Sequence, residues 1–334
     1  MARLLVLLLA LLAAAPAAAA ETRALEVEGR LTLGPAWDSN VQRQSAGPGV
    51  VADATLFLLA GADLRWRQGE DHLTSLSWDG GSRVFAATGS EDQLAHLLAA
   101  SHALRLDERW TAGVELRRRD QLLRDGARDS SDTAGNLLLA WEAHPLFAPR
   151  LRAGWRRFDW WPDDRWSGEG PWAGIGIQAR PFARHVASAG FESHLRDHPG
   201  RREVLHQAHL GWSWRGPLLL SGGYLLGHAA SDRPGYASIR HRFQVLLGAR
   251  LPARLLLSAQ GVLQLVRFPE GFRLDQFTVA DDEESLSSLS LKLARPIGAG
   301  LSVEARYQLH LATFLRADLA YERHVLGTAV TWRF

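Results

Sequence analysis

Leu301-Ser302-Val303-Glu304-Ala305-Arg306-Tyr307-Gln308-Leu309-His310-Leu311 alternates from end to end. Its odd positions are apolar, and its even positions are Ser, Glu, Arg, Gln and His. A helix would scatter those polar side chains around its circumference, whereas a strand gathers them on one face. The same period of two runs through residues 25–33, 110–119, 239–250 and 254–266. Marking every such run predicts about sixteen strands. They begin near residues 25, 52, 72, 92, 108, 132, 148, 170, 184, 203, 217, 238, 254, 285, 299 and 323. One run, QLAHLLAASHALRL from Gln93 to Leu106, also fits a helix.

The connectors alternate in length. Short ones such as RQGED, LDER, RPFAR, RGP and RLPAR carry Gly, Pro or Asp and read as tight turns. Between them lie longer polar stretches, among them SNVQRQSAGPGVV, WWPDDRWSGEGP, RDHPGRRE and FPEGFRLDQFTVADDEE. A barrel threaded through an outer membrane sorts its connectors this way, short in the periplasm and long outside, and a soluble sandwich has no reason to. The expected fold is therefore all-β: one antiparallel up-and-down transmembrane barrel of about sixteen strands.

The first twenty residues, MARLLVLLLALLAAAPAAAA, give one positive charge at Arg3, an apolar core and a small-residue stretch ending at Ala20. That is the layout of a cleaved signal peptide, so residues 1–20 are expected to be removed and residues 21–334 to form the barrel. The chain of 334 residues has no cysteine, which excludes disulfides. Lys292 is the only lysine, so 37 of the 38 basic residues are arginine.

With the greasy face toward lipid, the wet face lines a lumen. Its candidates are Arg30, Arg65, Glu115, Arg117, Arg119, Arg152, Arg156, Arg180, Arg196, Arg240, Arg242, Glu304, Arg306 and Arg333. Arginine outnumbers acid here although the formal charge of the chain is only +2. Such a lumen favours anions unless the arginines pair with carboxylates across neighbouring strands. Trp37, Trp66, Trp78, Trp212, Trp214 and Trp332 are expected at the membrane interfaces, where a ring is buried and its N–H stays wet. Ser188 and His194 share a strand face but stand roughly 20 Å apart, too far for a catalytic dyad. No nucleophile, cofactor or metal-binding motif occurs, and nothing beyond the arginine bias suggests nucleic acid. The acidic run Asp281-Asp282-Glu283-Glu284 lacks the spacing of a calcium loop.

Three stretches carry a family resemblance: AWDSNV at Ala36 to Val41, the final hairpin from LSVEARYQLH to YERHVLGTAVTWRF, and the terminal Phe334. Together they resemble Gram-negative outer-membrane porin-like barrels. They also resemble the barrel domains of surface-lipoprotein assembly modifiers and exopolysaccharide-export porins, where a strand ending in Asp-Ser-Asn and a last strand led by Tyr-x-Arg recur. Several of those proteins carry a periplasmic helical-repeat domain, and here strands begin just after Ala20. The resemblance implies an outer-membrane location, with membrane lipids, periplasmic chaperones and the barrel-assembly machinery as partners. It further implies that the outer stripe of the last strand, Val330, Trp332 and Phe334, is the assembly signal. The leading expectation for function is a passive channel for small, anionic solutes, not an enzyme. An export conduit for a surface polymer such as exopolysaccharide, with periplasmic secretion partners, or a surface-protein assembly factor, and a closed structural or adhesive barrel stay open.

Overall fold

The computed structural model describes residues 23–44, 49–126, 128–142, 144, 146–269, 287–312 and 320–334. The signal peptide and the acidic run at 281–284 lie outside them. The strands are β1 (Arg23–Asp38), β2 (Asp53–Gln68), β3 (His72–Phe85), β4 (Gln93–Arg105), β5 (Trp110–Leu123), β6 (Ser130–Trp141), β7 (Phe147–Trp160) and β8 (Gly168–Ala179). They continue as β9 (His185–His198), β10 (Arg201–Arg215), β11 (Leu218–Ser231), β12 (Ser238–Leu251), β13 (Leu255–Arg267), β14 (Ser287–Gly298), β15 (Leu301–Ala312) and β16 (Tyr321–Arg333). Each pairs antiparallel with its sequence neighbours, and β16 pairs with β1, closing a sixteen-stranded barrel. Closure leaves no strand at a free sheet edge, the condition for a sheet to survive in lipid.

The ambiguous run is strand β4, and every strand starts within two residues of the position the alternation predicts. One connector differs. RDHPGRRE is not a long loop: β9 and β10 run to His198 and Arg201 and turn on Pro199 and Gly200 alone. Gly200 takes φ 77°, a left-handed conformation that glycine adopts without cost.

The guanidinium of Arg306 on β15 lies 5.5 Å from the centre of the Phe57 ring on β2. Those strands are not neighbours, so both side chains point into the barrel. Arg306 has Gly327 and Ala36 beside it on the next two strands, and these small residues let it lie flat across the wall. Paired residues share a face, so the register carries this assignment around the circuit. The outward stripes hold exposed Leu31, Leu33, Leu116, Leu137, Ile175, Phe191, Leu210, Val245, Leu263 and Val330. Polar groups among them find local partners: the hydroxyls of Thr74, Tyr224 and Tyr307 sit 2.9, 2.8 and 2.8 Å from Nδ1 of His102, His241 and His324.

The tightest packing is at the closing seam. The largest fully buried side chains are Val41, Thr32, Thr331 and Asp38, all on or beside β1 and β16. The AWDSNV stretch and the Tyr-x-Arg of the last strand meet there. Arg323 Nε donates to Asp38 Oδ1 and Oδ2 at 3.0 and 2.9 Å. Ser39 Oγ accepts from the His324 amide at 2.8 Å, and Asn40 Nδ2 donates to the Glu322 carbonyl at 3.2 Å. At the other end of the seam, the Phe334 amide donates to the Gly29 carbonyl at 3.0 Å and the reverse bond measures 2.8 Å. The Phe334 ring covers Gly29 and meets Trp332, with ring centres 4.6 Å apart.

Candidate functional site

The inward face of the barrel is the candidate site. The register puts Arg30, Arg65, Glu115, Arg117, Arg119, Arg152, Arg156, Arg196, Arg240, Arg242, Glu304, Arg306 and Arg333 on that face. Arg333 ends β16 at the rim. Arg180 lies past the end of β8, exposed in the short turn. Further inward residues that the sequence reading passes over include Arg67, Arg150, Arg201, Lys292, Asp38, Asp79, Asp132 and Glu203. Strict parity counted from any secure residue in each strand finds them all.

The inward arginines divide into two groups. Some are compensated. Arg30 binds Asp79 at 2.7 Å, and Arg306 binds Glu304 at 2.6 Å. Glu304 also accepts from Thr331 Oγ1 at 3.0 Å, which ties this network into the seam. Arg117 and Arg156 share Asp132, at 3.4 and 2.8 Å. Arg201 binds Glu203 at 2.6 Å and stacks its guanidinium 4.3 Å from the Tyr236 ring.

Arg152, Arg196, Arg240 and Arg242 belong to the other group: among the described residues they make no ion pair or side-chain hydrogen bond. Their cross-strand neighbours explain this for three of them, and Arg196 stands opposite Glu203, which is bound by Arg201 and His198. Arg152 sits between Leu138 and Gly174, Arg240 between Gly227 and Val266, and Arg242 between Leu225 and Gln264. β8 turns Gly168, Gly170, Gly174 and Gly176 inward on either side of Trp172, so Arg152 on β7 faces Glu192 on β9 across Gly174. Arg196 has Arg156 and Arg240 within electrostatic reach together with Glu203 and Asp132, Arg152 has Glu192, and Arg240 has Arg242. Like charges held together without direct ion pairs draw mobile anions. This wall runs from β7, about half a circuit from the β1–β16 seam, to β12, four strands from β16. Between the wall and the seam, an inward recess of about 400 Å³ is lined by small residues including Ser75, Ala99 and Ser101, with Glu115 and Arg152 at its margin.

Trp37, Trp66, Trp212, Trp214 and Trp332 face outward close to the ends of their strands, whereas Trp78 faces outward from the middle of β3. The short-turn end has a further aromatic pair, Trp110 on Trp141, with ring centres 5.8 Å apart and planes 15° from parallel. Trp160 and Trp172 turn inward, and Trp172 stacks on His194. Ser188 and His194 stand opposite different partners, Gly211 and Leu205, and are not brought together.

No family model matches the sequence, and no curated protein does. Solved structures do. An anion-selective porin from Comamonas acidovorans superposes with a TM-score of 0.55 at 10% identity, covering 94% of this chain and 100% of that one. The chain has a porin-type barrel fold. OmpF of Salmonella typhi, solved in complex with daunomycin, gives 0.51 at 10% identity over 93% of this chain and 97% of that one. CdiB from Acinetobacter baumannii gives 0.54 at 10% identity over 92% of this chain and 60% of its own. At such identities the likeness speaks for the porin-type fold alone.

Proposed function

We propose that this porin-type barrel is an outer-membrane channel for passive diffusion of small anionic solutes. Its long loops face outward and its short turns face the periplasm. The observation that carries this reading is the set Arg152, Arg196, Arg240 and Arg242 between β7 and β12, none of which makes an ion pair among the described residues. Pairing would have made these residues a solvated wall; its absence leaves a positive field in the passage, which concentrates anions and repels cations. The outward stripe of Val330, Trp332 and Phe334 serves as the signal for the barrel-assembly machinery, with membrane lipids and periplasmic chaperones as the other partners.

The test is the combined variant Arg152→Gln, Arg196→Gln, Arg240→Gln and Arg242→Gln in planar bilayers. Glutamine keeps most of the side chain and removes the charge. The zero-current potential in a salt gradient should move toward the cation side while the barrel still conducts. An unmoved potential would remove these residues from any role in selectivity.

A further inference from the structure

The outward face of β5–β10 changes character abruptly toward the long-loop end. One register row there reads Arg118, Thr133, Arg157, Glu169, Asp197 and Arg202, each opposite the next on adjacent strands. One pleat repeat below, about 7 Å along the strands, the outward residues are Leu116, Gly135, Trp155, Pro171, Leu195 and Val204. The row below belongs to lipid tails, so the row above stands where headgroups begin.

The three arginines are presented alike. Arg118 Nε donates to Asp120 at 3.0 Å, Arg157 Nε to Asp159 at 2.9 Å and Arg202 Nε to Asp197 at 2.7 Å. Each guanidinium is held at Nε by a carboxylate of its own wall, and among the described residues its Nη groups make no hydrogen bond. The side chains of Arg118, Arg157 and Arg202 are 54%, 60% and 63% exposed. A pinned guanidinium with free Nη donors suits a phosphate, which takes two parallel N–H bonds. Arg118 and Arg157 are two strands apart and Arg157 and Arg202 three, so the phosphates they would take lie about 10–15 Å apart. Toward the short-turn end the same face opens into an apolar groove of about 580 Å³, lined by Leu139, Leu151, Ile175 and Phe191 among others.

We propose that this face seats a phosphorylated glycolipid of the outer leaflet. Its phosphates lie on the Nη groups of Arg118, Arg157 and Arg202, and its acyl chains run down the apolar rows beneath. A protein partner would have to match a charged row and a lipid-tail row at once; a lipid with charged head and apolar tails does so by its nature. The inference rests on the outer-membrane placement and is independent of ion selectivity.

The test uses the full chain in phosphatidylcholine nanodiscs, with diphosphoryl lipid A as the probe and phosphatidylglycerol as the anionic comparison, read by native mass spectrometry. In the variant Arg118→Gln, Arg157→Gln and Arg202→Gln, lipid A retention should fall by about tenfold or more, since a single charge-assisted bond is already worth that factor. The single Arg157→Gln should give a smaller loss, which keeps the test available if the triple variant fails to fold. Equal retention by wild type and variants overturns the proposal. So does equal retention of phosphatidylglycerol and lipid A by wild type, or a wild-type dimer that the triple variant abolishes. Zero-current potentials recorded on the same preparation tell failure of this site from failure of the channel reading.

Discussion

Asp38 gathers an amide and a guanidinium with one carboxylate. Oδ1 accepts from the Asn40 amide at 3.1 Å, and both oxygens accept from Arg323, whose side chain is as buried as its partner's. The pair bolts the end of the first strand to the start of the last, where no turn connects them. Removing one member of a buried pair strands the other charge. Asp38→Asn should therefore cost about 3 kcal/mol or more, read as a lower denaturant midpoint for the refolded barrel in micelles. A midpoint equal to wild type would show that the seam does not depend on this contact. Sequence reading picks out Asp-Ser-Asn and Tyr-x-Arg only as a resemblance. Their meaning comes from a pairing across 285 positions, which local periodicity does not encode.

At the scale of the strand, the last element explains its own ending. β16 alternates buried and exposed from Tyr321 to Trp332, as its sequence does. Its final ring lies over Gly29, where a Cβ would stand 2.3 Å from the Phe334 ring. Gly29→Leu should push the ring off β1 and destabilise the barrel by about 1–3 kcal/mol, the usual range for overpacking. The readout is the temperature at which heat-modifiable gel mobility is lost. Deleting Phe334, which also removes two backbone bonds of the seam, should cost more. Wild-type behaviour of both variants would refute the packing account. Strands were legible because burial on one face and lipid on the other impose a strict period of two. β4 was ambiguous because its small residues, Ala95, Ala99 and Ala103 on the inner face, do not contrast with its apolar outer face. The β9–β10 turn was misread because Asp197, Arg201 and Arg202 look like loop residues but sit at the polar rim of two extended strands.

Across the whole molecule, the lumen is lopsided. One wall is knit into the seam by Thr32, Thr331, Glu304 and Arg306, and the wall from β7 to β12 carries arginines without ion pairs. Sequence alone names most of those arginines but does not tell which are neutralised, because that depends on which residue stands opposite on the next strand. Arg117 stands opposite Ala134 and reaches Asp132 on the diagonal, and Arg152 meets Leu138 and Gly174, by register and not by any local motif. The outward face is lopsided too: aromatic rings gather at the short-turn end, and charged pairs replace them at the other end of β5–β10. The claim that a wall of arginines without ion pairs governs passage is tested most directly by the zero-current potential of the wild-type barrel in a tenfold potassium chloride gradient. The account predicts steady conductance with the potential on the chloride side. A potential on the potassium side, or a barrel that does not conduct, would contradict it.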